Sequence, residues 1–332
     1  MKYFERRIRL LFIIPIFFLL KRIKIGQTVF WYSVCSGAAV AGIYALVNKL
    51  WLFPGMRVSG SYHSIAFGDL AIVMAFMSLT SLGFFLKKNN TYIVIPIVAF
   101  LLGVIACLLS GSKGAWIAFP AFAVIIFFYL GNRTRIWVRL LLCLTACILI
   151  FSAYHIPATG IADRIQAMKK EWSDYQADNR SKGSIACRIE GWKAAWKIFK
   201  QHPAMGAGVG SFQPIVKKMI ENGEISKIIA RFSQPHSSYL YSMAECGIPG
   251  LFAILCVFIV PLWLMISSAG KSGFQRDILY GGIILIVGFM HFGLTESIFR
   301  RNININFYVI MLALVLSNLS VQKKINETDN KW

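Results

Sequence analysis

Most side chains able to do chemistry lie between Arg188 and Gly250, a polar stretch set between membrane-length apolar runs. His236 follows Pro235, which restricts the local chain, and precedes the helix-like run SSYLYSMAE. An imidazole titrates near neutrality and can take a proton from a sugar hydroxyl. A histidine hydrogen-bonded at an interface is the other reading of it. Arg188 opens the segment RIEGWKAAWKIFKQHP. Its guanidinium fork suits the oxygens of a phosphate or diphosphate, and converging cations would stabilise a leaving diphosphate. Arg57 and Lys113 flank spans assigned below to the same outward side, and snorkelling to the interface is the alternative for all three cations.

Other candidates are weaker. Gly206, Gly208 and Gly210 stand on alternate positions, but the spacing G-x-G-x-x-G fails at Ser211 and a helix rather than a strand precedes them. They predict a tight backbone turn, with a phosphate-cradling nest as the alternative. Asp69, Glu245 and Glu296 lie within or near spans, where carboxylates are costly and often functional. A proton-coupled transporter would use such groups, yet there is no internal repeat and no matched pair of broken helices. His63, His155, His202 and His291 are too scattered for a metal set. Of the seven cysteines, Cys35, Cys107, Cys143, Cys147 and Cys256 lie in apolar runs, while Cys187 and Cys246 stand alone. A Cys187–Cys246 disulfide has no local support, and no metal site is expected.

These residues need elements to hold them. Ile189, Trp192, Trp196 and Phe199 fall at the spacing of one apolar helix face, and Pro203 should stop that helix. Around this stretch, 57% hydrophobic and only 15% charged residues over 332 positions exclude a soluble pair of domains. The chain reads as an all-α, polytopic integral membrane protein. Apolar runs at about 8–20, 28–48, 65–86, 91–110, 114–130, 136–154, 247–267, 277–297 and 303–320 predict about nine spans. The first is short and basic at both ends, without a small-residue cleavage site, and reads as an uncleaved membrane segment.

The net charge of +21 sits largely between spans, where it orients helices; no nucleic-acid partner is implied. Lys21/Arg22/Lys24, Lys87/Lys88, Arg133/Arg135, Lys271/Arg276 and Lys323/Lys324 fall on one side, which the positive-inside rule makes cytoplasmic. Lys2, Arg6 and Arg7 disagree if the first segment spans. The expected layout is therefore N-terminal membrane helices over 1–154, one long outward loop over 155–246 between the sixth and seventh spans, C-terminal membrane helices over 247–321, and a short cytoplasmic tail over 322–332. The segment 155–235 holds thirteen Lys and Arg against seven Asp and Glu, suiting it to anionic lipid or a phosphorylated substrate.

Taken together, RIEGWKAAW, HP and GAGVGSF followed by PHSSYL and ECGIPGL resemble the O-antigen ligase family, as do SGSKGAW at 110–116 and RVSGSYHSIAFGDL at 57–70. The superfamily also includes O-antigen polymerases and protein O-oligosaccharyltransferases. The resemblance implies a bacterial inner-membrane glycosyltransferase with a periplasmic loop. It would move a glycan from an undecaprenyl-diphosphate carrier onto the lipid A core in lipopolysaccharide assembly, with no metal or cofactor. By motif, His236 is similar to the proposed general base, Arg188 to the residue on the donor diphosphate, and Arg57 and Lys113 to positions near the donor. The family usually has Arg in place of Lys113, and many members have His-Asn where this chain has His236-Ser237. About nine spans by the length rule, against about twelve in the family, implies a short form or helices beyond this chain. The alternatives are a polymerase of the same superfamily, with a second carrier-linked glycan as acceptor, and a lipid-linked glycan transporter.

Overall fold

The computed structural model describes residues 8–54, 56–60, 63–131, 134–137, 139, 161–177, 183–268 and 273–329. Among these every regular element is helical: α1 (Ile13–Ile23), α2 (Gln27–Val47), α3 (Ser64–Thr80), α4 (Leu82–Lys88), α5 (Val94–Ser110), α6 (Lys113–Trp116), α7 (Phe119–Leu130), α8 (Ile161–Gln176), α9 (Ser184–Gln201), α10 (Phe212–Glu221), α11 (Ser238–Ser268), α12 (Gly273–Thr295) and α13 (Asn302–Asp329). The described residues adopt the expected all-α class.

Six described helices are long and apolar enough to cross a bilayer, and the pair α3 and α4, bent by 45° at Ser81, would make a seventh. They coincide with seven of the nine predicted spans. Of the other two, the first has a described helical stretch of Arg9–Phe12 and Ile13–Ile23, with residues 1–7 outside the described residues. At 1.5 Å per residue that described part alone is shorter than a hydrocarbon core of about 30 Å. The run at 136–154 lies almost wholly outside the described residues. Among the described residues, six or seven of the nine expected spans are therefore seen as helices long and apolar enough to cross.

The chain divides into two compact units, one of Met1–Arg133, Phe258–Phe292 and Ile298–Trp332, the other of Thr134–Val257 and Gly293–Ser297. In the first unit α2, α3 and α5 pack together through small residues. Gly42 lies so close to α5 that a Cβ would meet the Leu102 Cβ at 2.5 Å, and one at Gly103 would meet the Ala75 Cβ at 2.7 Å. Ala38, Ala45, Ala71, Ala75 and Ala106 are buried around them. Between apolar helices in lipid there is little hydrophobic drive to associate, so close backbone approach and dispersion must supply the attraction. The bend between α3 and α4 has a local partner as well. Gly83 N–H, orphaned at the start of α4, donates to the Tyr129 hydroxyl at 3.1 Å, and that hydroxyl donates to Asp277 at 3.0 Å.

In the second unit a core of Ala194, Ala195, Ile198, Phe212, Val216, Met219, Ile225, Ile229, Tyr241 and Ala244 joins α9, α10 and the start of α11. Helix α9 ends at Gln201, just before Pro203, as its sequence predicts. Its buried face differs from the predicted stripe. Ala186, Glu190, Gly191, Ala194, Ala195 and Ile198 are buried, whereas Ile189, Trp192 and Phe199 are half-buried and Trp196 is exposed. Small side chains let the helix backbone approach its neighbours, and the large aromatics are displaced to the flanks of the contact. Indole rings tolerate that position because one end is apolar and the other can meet water.

Helix α11 has 31 residues, about 45 Å at the helical rise, and is interrupted by non-helical backbone at Gly247. A span needs only about 20 residues. The piece before the break, Ser238 to Cys246, is therefore surplus to crossing and packs within the second unit.

Candidate active site

His236 stands at the turn into α11 with a left-handed backbone, φ +54°, a rare state for a residue with a Cβ. Such a conformation costs on the order of 1 kcal/mol and persists where surrounding contacts over-determine it. Those contacts are present. Ser238 Oγ donates to the Glu296 carbonyl at 3.0 Å, and Ser297 Oγ to the Ser237 carbonyl at 3.4 Å, tying the turn to the end of α12. The imidazole Nδ1 lies 3.2 Å from Glu296 Oε2, with the His side chain 14% and the Glu side chain 3% exposed. Gln234 Nε2 donates to the other oxygen, Glu296 Oε1, at 2.7 Å. A carboxylate only accepts, so a neutral His236 carries its hydrogen on Nδ1 and keeps the Nε2 lone pair free. The Phe232 ring packs edge-to-face on the imidazole, centroids 4.9 Å apart.

Helix α9 lies against this turn. A Cβ at Gly191 would come within 3.0 Å of Pro235 Cα, and the Trp192 indole N–H reaches toward the His236 carbonyl at 3.5 Å. Arg188 sits three and four residues before these two, on the same helix face. The second unit thus joins the helix face of Arg188 to the turn of His236. Arg188 is half-buried, and its Nε is buried with no hydrogen-bond partner among the described residues.

What holds α9 in place is a buried carboxylate. Glu190 accepts from Tyr175 of α8 at 2.8 Å, from Lys193 at 3.2 Å and from Ser226 N–H at 3.0 Å. Burial pushes the Glu190 carboxyl up, but these three donors outweigh it and hold it below its ordinary value. The Lys193 ammonium is pushed up by its hydrogen bond to Tyr175 and its pairing with Glu190. A carboxylate with a depressed folded-state pKa contributes stability above its unfolded value of about 4.3, and loses it as pH falls through the lower folded value. Glu190→Gln should therefore lower the melting temperature at pH 7 by an amount equivalent to about 1–3 kcal/mol. The gap to wild type should close as the pH is taken below 4. Melting curves across pH in detergent check this, and a gap that does not change with pH would remove the ionised carboxylate as its cause.

Arg57 and Lys113 belong to the other unit, where they share one turn. Arg57 Nε donates to the Ser110 carbonyl at 3.0 Å and a terminal nitrogen to the Gly111 carbonyl at 2.8 Å. The guanidinium thus caps the C-terminal end of α5, where carbonyls are orphaned and the helix dipole favours a cation. Lys113 begins α6 two residues on. Ser112 donates to buried Asp69 at 2.9 Å, which fixes the same turn from α3.

The glycine cluster is a clamp on the break in α11. Ala207 N–H donates to the Ala244 carbonyl at 2.9 Å, Gly208 N–H to the Glu245 carbonyl at 3.0 Å, and Gly210 N–H to Glu245 Oε1 at 2.9 Å. Ile248 N–H returns a bond to the Pro203 carbonyl at 2.9 Å. The phosphate-nest alternative fails on this point, because the amides it would need are spent on the helix. Gly247, at φ +63°, has no room for a side chain: a Cβ would meet the Pro203 carbonyl at 2.5 Å.

Several candidates resolve into structural parts. His63 caps α3 by accepting from Ile65 N–H, His291 Nδ1 bonds within its own helix, and Cys187 and Cys246 are not joined in a disulfide. His155 lies outside the described residues. No group of three His, Cys, Asp or Glu among the described residues could hold a metal ion. Glu296 drew attention in the sequence only as a costly carboxylate near a span, and its pairing with His236, sixty residues away, had no local signal. Gln234 had none at all.

A polytopic helical membrane protein with a histidine–carboxylate pair at the head of a broken helix is the class that fold and site define. Residues 98–255 match the family model described as O-antigen ligase. Over that stretch, which includes Lys113, Arg188 and His236, the chain is similar to the O-antigen ligase family. An uncharacterized protein of Haemophilus influenzae is 28% identical over 314 residues, covering 93% of this chain and 78% of its own length.

Proposed function

We propose that the protein is an inner-membrane glycosyltransferase that moves a glycan from undecaprenyl diphosphate onto the lipid A core. The match of residues 98–255 to the O-antigen ligase family supports the coarser statement, a ligase- or polymerase-type glycosyl transfer. The observation that supports the chemistry is the buried Glu296 on Nδ1 of His236. In the reading proposed, Nε2 takes the proton of a core-sugar hydroxyl, whose oxygen attacks the anomeric carbon of the donor. The bond from that carbon to the diphosphate oxygen breaks, the diphosphate leaves with the electron pair against Arg188, and Glu296 stabilises the imidazolium. Arg57 and Lys113 take a supporting part, since the Arg57 fork already serves α5 and Lys113 offers charge without a fork.

The transporter alternative loses ground because its membrane carboxylates have local partners: Asp69 has Ser112, Glu245 has Gly210, and Glu296 has Gln234 and His236. The reading also requires residues 155–246 on the periplasmic side. A cysteine at position 175, in a background free of native cysteines, should react with an impermeant thiol reagent without opening the inner membrane. Labelling only after permeabilisation would reverse the topology.

The deciding experiment is reconstitution with carrier-linked glycan and lipid A core. Glycan-bearing lipopolysaccharide is the expected product. Lengthening of the carrier-linked glycan, with the core untouched, would turn the assignment to the polymerase.

A further inference from the structure

Glu296 does more than face His236. Because a carboxylate has no hydrogen to give, Gln234 must turn its NH2 toward Glu296 Oε1, at 2.7 Å. That fixes the amide, and leaves Gln234 Oε1 pointing elsewhere, buried and without a hydrogen-bond partner among the described residues. The same carboxylate takes Nδ1 of His236 and leaves Nε2 as the second open acceptor. One buried acid therefore sets two acceptors two residues apart, on either side of the buried, conformationally restricted Pro235. An unmet buried acceptor costs about 1–3 kcal/mol. A ligand that brings a donor to it recovers that cost, and one that arrives without a donor does not.

Two neighbouring acceptors call for a ligand with two neighbouring O–H donors. We propose that Gln234 Oε1 accepts a hydrogen bond from a hydroxyl adjacent to the one His236 deprotonates, so that the enzyme selects acceptor sugars carrying a pair of adjacent hydroxyls. The inference rests on the glycosyl-transfer reading above. Gln234 is a specificity residue in this scheme, and the proton still passes only to His236 Nε2. Phe232 packs edge-to-face on the imidazole, and its ring offers an apolar surface to the sugar's C–H groups. The competing role for Gln234 is a strut that merely steadies Glu296. The two roles differ in what they do to discrimination between acceptors. A lost strut slows every acceptor alike, whereas a lost acceptor atom affects only the sugar that used it.

The test uses the full chain in lipid with carrier-linked glycan as donor. Its acceptors are a lipid A core saccharide and synthetic analogues with each terminal-sugar hydroxyl removed in turn. The analogue that cannot be glycosylated marks the attacked oxygen. For wild type, removal of one neighbouring hydroxyl should lower kcat/KM by about a hundredfold or more, as for sites built to bond a substrate hydroxyl. Gln234→Leu should use the complete and the deoxy acceptor within a few-fold of each other. Gln234→Lys keeps a donor for Glu296 but has no acceptor atom, so it too should lose the discrimination even where its rate with the deoxy analogue is high. A wild type that ignores every neighbouring hydroxyl overturns the inference, as do variants that keep the wild-type ratio. A wild type that glycosylates no acceptor overturns the transfer reading itself, and this inference with it.

Discussion

His236→Ala should lower glycan transfer by about 10²–10⁴-fold, the range general-base catalysis supplies, with the protein still folded in the membrane. The expectation rests on an arrangement that serves Nε2 at some cost elsewhere. The backbone at position 236 is left-handed, and a carboxylate only 3% exposed is kept in place to meet Nδ1. A histidine that merely filled space would need neither. Glu296→Ala should then lose part of the same factor, since the imidazole would keep its chemistry but not its fixed hydrogen or its counter-charge. His236→Ala and Glu296→Ala combined should be little worse than His236→Ala alone, because the carboxylate acts through the ring. The measurement is initial transfer rate in proteoliposomes for the two single variants and the double, at matched protein. Near-normal transfer by His236→Ala would return the residue to a role in holding the turn. Losses that multiply in the double would assign Glu296 a separate task.

The parts of this site legible in the sequence were those written in a short stretch. His236 beside Pro235, the stop at Pro203 and the helix beginning near Ser238 all follow from local chemistry, and the structure has each where expected. The family resemblance was legible for the same reason, since its motifs are contiguous runs. Pairings across the fold were not. Glu296 meets His236 only because α12 ends beside the head of α11, and nothing within several residues of either announces it. The face of α9 went astray for a different physical reason. Hydrophobic periodicity finds large apolar residues, but this helix buries Gly191, Ala194 and Ala195 and turns Trp196 outward, so close approach decided the packing rather than apolar bulk. Arg57 shows a third limit. A guanidinium near a span end suits a phosphate and an α-helix C-terminus equally well, and only the fold sets it on the Ser110 and Gly111 carbonyls.

Arg188→Ala should reduce transfer by roughly 10- to 100-fold, equivalent to losing one charged hydrogen-bonding contact of about 1.5–3 kcal/mol in the transition state. Its neighbours make this more than a charge on a loop. The α9 face that bears Arg188 is pressed onto Pro235 through Gly191 and carries Trp192 toward the His236 carbonyl, while Glu190 behind it is locked by three donors. A guanidinium held on so fixed a helix, with its Nε buried and unpaired among the described residues, can offer a fork in a set direction. Arg188→Lys separates charge from fork. If Arg188 grips two diphosphate oxygens, the ammonium keeps the attraction but not the paired geometry, and Arg188→Lys should fall between wild type and Arg188→Ala. If Arg188 only snorkels to the interface, lysine serves equally well. Transfer rate and binding of carrier-linked donor, measured for all three at matched expression and unchanged melting temperature, separate these outcomes. A graded loss that appears in donor binding or in turnover, and leaves the affinity for the lipid A core unmoved, is expected. Equal activity in all three would take Arg188 out of the site and leave the leaving diphosphate to other cations.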